Sequence, residues 1–324
     1  MIVVTGGAGF IGSALVHALN RRGEENIIIV DRLGTGDKWK NLNGLKYTDV
    51  IHKDDFYEML IEEELPEEID VIFHLGACSS TTEKDADYLL FNNYVYSVEL
   101  ARYAADNGIR FIYASSAATY GDGSQGYNDD ENALESLRPL NMYGYSKQMF
   151  DLWAKRNGLL DKIVGVKYFN VYGPNEYHKG DMRSVVHKAF GQIKETGKVK
   201  LFKSYKEEYP DGGQMRDFIY VKDAVEMTLF FMDNRDANGI FNVGTGKART
   251  WNDLVKAIFD ALGKPVEIEY IEMPQELRGK YQYFTEAKMN KIRQAGYDKP
   301  ISSIEEGVAD YVKNYLLGKE YLAW

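Results

Sequence analysis

The sequence predicts an α/β fold, a Rossmann-type doubly wound parallel sheet with a smaller mixed α/β C-terminal lobe. Three observations predict it: a glycine-rich turn between an apolar strand and an amphipathic helix, a continuously apolar strand ending in an acid soon afterwards, and later buried-type strands separated by helical stretches. Residues 1–169 are expected to form the first domain. Residues 170–324 are expected to form mainly the second lobe, with some segments returning to the first.

Each element has its own signal. Met1 to Thr5 is a short apolar run, Gly6 to Gly12 is rich in glycine, and Ile11 to Arg22 places Ile11, Leu15, Val16 and Leu19 at helical spacing. Gly23 closes that helix. Asn26 to Asp31 is apolar throughout its middle, as a parallel strand buried on both faces must be, so a βαβ unit is complete by Asp31. Asp70 to Leu75, Arg110 to Ser115 and Lys162 to Tyr168 read as further buried strands. Beyond Tyr168 the spacing predicts helices over Ser184–Thr196, Val221–Met232, Trp251–Leu262 and Ser302–Tyr315, and strands of the second lobe at Gly239–Val243 and Val266–Ile271. Ser204 to Gln214, with its Pro and paired Gly, reads as a loop.

Composition narrows the function classes. The chain has 324 residues, 44% hydrophobic and 27% charged, with a net charge of −10, which disfavours bulk attraction to nucleic acid. No stretch approaches the ~20 apolar residues that span a bilayer, so no membrane partner is expected. A single cysteine, Cys78, and an opening strand without a basic leader suit a reducing cytoplasm. The five histidines show no metal-ligand spacing, and no metal is expected.

Gly6-x-x-Gly9-x-x-Gly12 sits where a strand turns into a helix, the arrangement that lets backbone approach a pyrophosphate at the positive helix end. Asp31, 19 residues after Gly12, stands where a carboxylate accepts from a ribose 2′-hydroxyl, which favours NAD. Arg32, Lys38 and Lys53 are available to neutralise a 2′-phosphate, and three cations against one carboxylate tilt the expectation to NADP, with NAD the alternative.

Tyr143 and Lys147 are four apart, hence on one helix face. Chance alone yields about two such pairs in this chain, the other being Tyr315/Lys319, so context decides. Ala114-Ser115-Ser116 ends a strand 27 residues before Tyr143 and can deliver a hydroxyl to the same cleft. A phenol of reference pKa ~10 is a poor base at neutral pH, and a nearby ammonium plus an oxidised nicotinamide would favour phenolate. Tyr143 is therefore the expected base, Lys147 the ammonium and Ser116 the holder of the carbonyl-like oxygen.

In this order, strand-G-x-x-G-x-x-G-helix, strand-S-S and Y-x-x-x-K resemble the extended short-chain dehydrogenases that modify nucleotide sugars. Gly76–Glu83 (G-A-C-S-S-T-T-E), Ala114–Gly121, Tyr143–Lys147, Tyr168–Pro174, His178–Gly180, Arg216–Val221 and Ala295–Pro300 are similar to the branch acting as ADP-glycero-manno-heptose 6-epimerases of lipopolysaccharide core biosynthesis. The resemblance implies an isomerase in which hydride leaves C6 of the heptose for NADP and returns to the opposite face. Two acid/base groups then flank the ketone, Tyr143 and Lys179. From the residues alone Lys179 reads equally as a phosphate-binding or surface lysine.

By the same resemblance Gly6, Gly9, Phe10, Ile11 and Gly12, then Leu75, Gly76, Ala77, Cys78 and Ser79, then Asn92, Lys147, Val171 and Lys179 line the cofactor. Ser116, Asn170, Asp181, Lys188, Phe202, Lys203, Ser204, Tyr205, Arg216 and Tyr281 meet the ADP-heptose. Arg216 suits the diphosphate, because its planar fork matches phosphate oxygens. Leu75, Asp181 and Arg32 depart from the residues usual at those places. A homo-oligomer, pentameric by the resemblance, is expected. The alternatives are a nucleotide-sugar 4-epimerase, a 4,6-dehydratase, or a non-catalytic NADP-binding sensor; Ala117 and Ala118 after Ser116 leave a dehydratase without its extra acid.

Overall fold

Burial on both faces is what makes the first strands continuously apolar. The structure is a computed structural model that describes residues 1–66, 68–278 and 281–323. Its strands are β1 (Ile2–Thr5), β2 (Ile27–Asp31), β3 (Asp49–His52), β4 (Val71–His74), β5 (Arg110–Ser116), β6 (Val164–Tyr168), β7 (Asn170–Tyr172), β8 (Val199–Phe202), β9 (Met215–Tyr220), β10 (Gly239–Val243), β11 (Ala248–Thr250) and β12 (Ile268–Ile271). The longer helices are α1 (Phe10–Arg21), α2 (Lys53–Ile61), α3 (Tyr96–Asp106), α4 (Met142–Arg156), α5 (Val185–Thr196), α6 (Val221–Asp233), α7 (Trp251–Leu262) and α8 (Ile304–Asp310).

Seven parallel strands form the main sheet in the order β10-β6-β5-β4-β1-β2-β3. The order reverses between β1 and β4, so a crevice opens there at the strands' carboxyl ends. Alternation along β1 divides the core: Ile2 and Val4 pack with Leu15, Val16 and Leu19 of α1, while Val3 packs with Phe56 and Leu60 of α2. Burying each such aliphatic side chain contributes roughly 1.5–3 kcal/mol before the entropy of ordering is charged against it.

Gly239–Val243, expected in the second lobe, is instead the edge strand of the main sheet, paired with β6 from Gly239↔Val164 to Val243↔Tyr168. All five of its residues are buried, and α6 packs against α1 and delivers the chain back to that edge. The rest of the second half builds a three-stranded sheet, β11-β9-β7, and a β12-β8 pair, with α5, α7 and α8 packed about them. These strands have three to six residues, too short to show a period. The expected helix Ser302–Tyr315 is divided into α8 and a π-turn at Tyr311–Leu316. Ser204–Gln214 is a loop, as its Pro and Gly require. No helix among the described residues is long and apolar enough to cross a membrane.

The glycine turn brings backbone against backbone. Gly6 has φ +69°, and a Cβ there would lie 2.7 Å from the Gly76 nitrogen after β4. A Cβ on Gly12 would overlap the Gly6 carbonyl oxygen. Gly12→Ala should therefore lower Tm by roughly 2–10 °C through overpacking. Gly191→Ala on the open face of α5, where nothing lies within 4 Å of the added methyl, should be neutral or slightly stabilising in the same melt.

Candidate active site

The crevice at the strand reversal is lined first by the glycine turn. The Gly9 N-cap of α1 has no side-chain acceptor, whereas Asn141 caps α4 by accepting from the Gly144 N–H at 2.8 Å. The first N–H groups of α1 are thus left for an anion. Gly6, Gly9, Phe10, Ile11, Gly12, Asp31, Arg32, Lys38, Lys53, Leu75, Gly76, Ala77, Cys78, Ser79, Asn92 and Lys179 all line this chamber.

Asp31 lines the chamber with its carboxylate already engaged. Its carboxylate accepts from the Ala8 N–H at 2.9 Å and from the Arg32 N–H at 2.7 Å, and Lys38 pairs with it. Lys53 pairs with Asp54 at 2.6 Å. The three-to-one balance read from the sequence is therefore reduced, because Asp54 enters the account and Lys38 is spent on Asp31.

Behind the turn, His74 bridges Thr5 Oγ1 at 2.7 Å and Ser97 Oγ at 2.8 Å, and burial pushes its imidazole down to about 3. A π-turn, Leu90–Val95, interrupts the helix leading into α3 and buries Asn93. The Asn93 side chain accepts from the Cys78 N–H at 2.8 Å and donates to the Cys78 carbonyl at 3.0 Å and to Ser146 Oγ at 3.0 Å. It locks the loop after β4 onto α4, a role with no periodic signal in the sequence.

A second chamber adjoins the first and shares Phe10, Ile11 and Lys179 with it. It is lined by Ser116, Tyr143, Lys147, Asn170 and Val171. Tyr143 hydrogen-bonds with Ser116; burial pushes the phenol up, with that bond opposing. Lys147 is 4% exposed, and burial pushes its ammonium down to about 8 against the pull of Asp151 and Cys78. The protein's own groups leave Tyr143 a phenol at neutral pH, and the expected phenolate rests on the Lys147 ammonium together with an oxidised nicotinamide.

Lys179 rides on a turn over Tyr177–Met182. Its N–H donates to the Glu176 carbonyl at 3.0 Å, and its Nζ lies 5.4 Å from the Phe10 ring centroid. Burial lowers its pKa, with Glu176 opposing. His178 contacts Asn41 Nδ2 at 3.2 Å and so ties this turn to the first domain.

Toward the outer end, Arg216 is 8% exposed, its guanidinium 5.2 Å from the Tyr281 ring and 5.7 Å from Trp251. Two of its nitrogens already donate to the Met215 and Gln282 carbonyls. Phe202 meets Tyr281 edge-on at 6.4 Å. Lys203 and Tyr205 both bond to Glu272, and Ser204 Oγ donates to the Lys206 carbonyl at 2.9 Å. Asp181, Lys188, Phe202, Lys203, Ser204, Tyr205, Arg216 and Tyr281 line neither chamber; Asp181 and Lys188 are exposed, whereas Arg216 and Tyr281 adjoin Trp251 of the second chamber. Sequence reasoning missed Arg183, Trp251 and Phe218, which do line the second chamber. Arg183 Nε is buried without a hydrogen-bond partner among the described residues.

Residues 2–244 match the family described as NAD dependent epimerase/dehydratase. A Nitratidesulfovibrio vulgaris (strain Hildenborough) protein named ADP-L-glycero-D-manno-heptose-6-epimerase is 58% identical over 316 residues, covering 98% of each chain. The crystal structure of the Helicobacter pylori protein of that name is 30% identical with a TM-score of 0.81, covering 97% of this chain and 95% of that one. A Thermus thermophilus UDP-glucose 4-epimerase in complex with NAD is 25% identical with a TM-score of 0.73, covering 97% of this chain and 99% of that one.

The buried His74 generates a pH prediction. Its folded pKa is about 3 against a reference of 6.5, so the unfolded chain binds the extra proton between those values. Stability is complete above the reference value and falls as pH drops below it, with a limiting slope of about 1.4 kcal/mol per pH unit. Urea midpoints between pH 7.5 and 4.5 should show a shallower slope in His74→Asn than in the parent protein. Equal slopes would remove His74 from the acid response.

Proposed function

The chain belongs to the NAD dependent epimerase/dehydratase family, and from that premise we propose that it is a nucleotide-sugar epimerase inverting C6 of the heptose in ADP-D-glycero-D-manno-heptose to give the L-glycero epimer. The observation that carries this reading is the single chamber lined by Ser116, Tyr143 and Lys147 together with Lys179, which supplies two proton-transfer groups from different elements.

A carbon bearing only a hydroxyl and a hydrogen has no acidic C–H, so inversion needs hydride removal and return. A bound nicotinamide dinucleotide supplies the reversible hydride acceptor. The residues present fit such a group: glycines at which a Cβ would fill the turn, uncapped N–H groups of α1, and a chamber running from Asp31 to Lys179. Tyr143 Oη takes or returns the hydroxyl proton in one orientation of the substrate, and Ser116 Oγ steadies the same oxygen. Lys147 adds positive potential that helps the phenol release its proton. Lys179 Nζ serves the opposite orientation; its burial favours the neutral amine that a base requires. Arg216, sandwiched by Trp251 and Tyr281, receives the nucleotide diphosphate end, and Phe202, Lys203, Ser204 and Tyr205 cover it.

Tyr143→Phe and Lys179→Met should each retain dinucleotide binding while lowering turnover of ADP-heptose by about 10²–10⁴-fold. Wild-type turnover in either variant would remove that residue from the chemistry. Substrate deuterated at C6 should turn over more slowly than unlabelled substrate, and identical rates together with no isotope in the dinucleotide would overturn the hydride route.

The dinucleotide is NADP in this reading, because Asp31 accepts from Ala8 of the glycine turn and Arg32 and Lys53 line the same chamber. Arg32→Ala/Lys53→Ala should weaken NADP binding by at least tenfold while changing NAD binding little. A matching loss for both dinucleotides would count against a 2′-phosphate there. The enzyme works in the cytoplasm as a homo-oligomer, a pentamer in this reading, and gel filtration with light scattering tests the assembly.

A further inference from the structure

Beneath Ser116, Tyr143 and Lys147 lies a polar cage that the proposed proton transfers do not use. Asp151 is one helical turn past Lys147 and two past Tyr143 on the same face of α4, and it is wholly buried. Its carboxylate accepts from Tyr113 Oη at 2.9 Å and Ser115 Oγ at 2.8 Å, and pairs with Lys167 Nζ at 3.2 Å. Lys167, on β6 and equally buried, donates to Thr119 Oγ1 at 2.7 Å. Thr119 Oγ1 donates in turn to the Ser116 carbonyl at 2.8 Å. The end of β5 is thus gripped twice from below, Ser115 by Asp151 and Ser116 by Lys167 through Thr119.

Stability alone does not explain such a pair. Two charges held out of water cost several kcal/mol each in desolvation, and apolar residues of similar volume often serve the fold as well or better. We propose that the Asp151–Lys167 ion pair is a positioning device for the reaction, fixing the Ser116 hydroxyl at the end of β5 and setting a buried carboxylate one helical turn from Lys147. The inference rests on the acid–base reading of Tyr143, Lys147 and Ser116 above.

The electrostatics run in the same direction. Lys147 is faced by Asp151 on its own helix, by Cys78 after β4 and by His74 of β4. Burial drives its ammonium down while Asp151 and Cys78 hold it up. Lys167 is faced by Asp151, Asp129 and Glu131, and Asp151 also by Tyr113 and Tyr120. Removing the Asp151 charge therefore deprotonates Lys147 at lower pH.

The test uses the full chain with its dinucleotide bound and ADP-heptose as substrate, comparing Asp151→Asn, the double variant Asp151→Leu/Lys167→Met, Thr119→Val and Tyr143→Phe. Asp151→Asn should lose both Tm and kcat, because Lys167 is left buried and unpaired. The double variant should regain the parent Tm, yet keep kcat at least tenfold down and show the alkaline limb of its kcat profile shifted to lower pH. Thr119→Val keeps the ion pair and cuts only the link to Ser116, so kcat should fall several-fold with KM and Tm nearly unchanged.

A double variant with parent kcat and an unshifted alkaline limb would make the pair purely structural and overturn the proposal. Should the double variant not fold, unchanged kcat in Thr119→Val would overturn it equally. Tyr143→Phe separates the two levels. If that variant is fully active, the acid–base reading itself falls. If it is inactive while the double variant behaves as the parent, only the positioning role falls.

Discussion

Holding positive charge out of water without leaving it unpaired is the constraint on which this site depends. Lys147, Lys167 and Arg216 are 4%, 0% and 8% exposed, and each would be expelled or neutralised in an apolar interior. The fold answers each differently. Lys167 has the Asp151 carboxylate and a threonine hydroxyl. Arg216 has two backbone carbonyls and two aromatic rings, which suit a planar and weakly hydrated cation. Lys147 and Lys179 are held less completely, each opposed by one carboxylate, and the proposed chemistry needs the first to stay charged and the second to give up its proton.

The architecture supports that arrangement by crossing the lobes. β10 and α6, from the second half of the chain, complete the main sheet and pack on α1. The Lys179 turn is tied back through Asn175, whose side chain donates to Ser13 Oγ at 3.0 Å on α1 and accepts from the Leu322 N–H at 3.0 Å. Asn175 has φ +74°, a conformation that costs a non-glycine residue energy and that these two bonds repay. Asn41 adds a third tie by donating to the Asn175 carbonyl at 3.1 Å. The lysine from one lobe thereby shares a chamber with the tyrosine from the other.

Engagement and exposure of side chains are not visible in spacing. Spacing placed Asp31 at the ribose, but spacing cannot show that the carboxylate is already engaged by Ala8, Arg32 and Lys38. Asp181 and Lys188 were carried over from a family pattern; Asp181 is exposed on the turn that holds Lys179, and Lys188 is exposed on α5. The residues that were missed, Arg183, Trp251, Asn93 and Asp151, belong to no motif. Asn93 and Asp151 meet partners distant in sequence, Cys78 and Ser146 for the first and Tyr113, Ser115 and Lys167 for the second, so no local signal marks them.

Local interactions and periodicity determined the glycine turn, the buried parallel strands, most helices and the Tyr143–Lys147 face, because backbone sterics and side-chain burial repeat at fixed short intervals. Tertiary structure alone decided that Gly239–Val243 closes the main sheet, that Lys179 reaches the Tyr143 chamber, and that the buried Asp151 carboxylate binds Ser115 and pairs with Lys167. Those depend on contacts spanning tens to hundreds of residues, where only the packed fold specifies distance, exposure and charge.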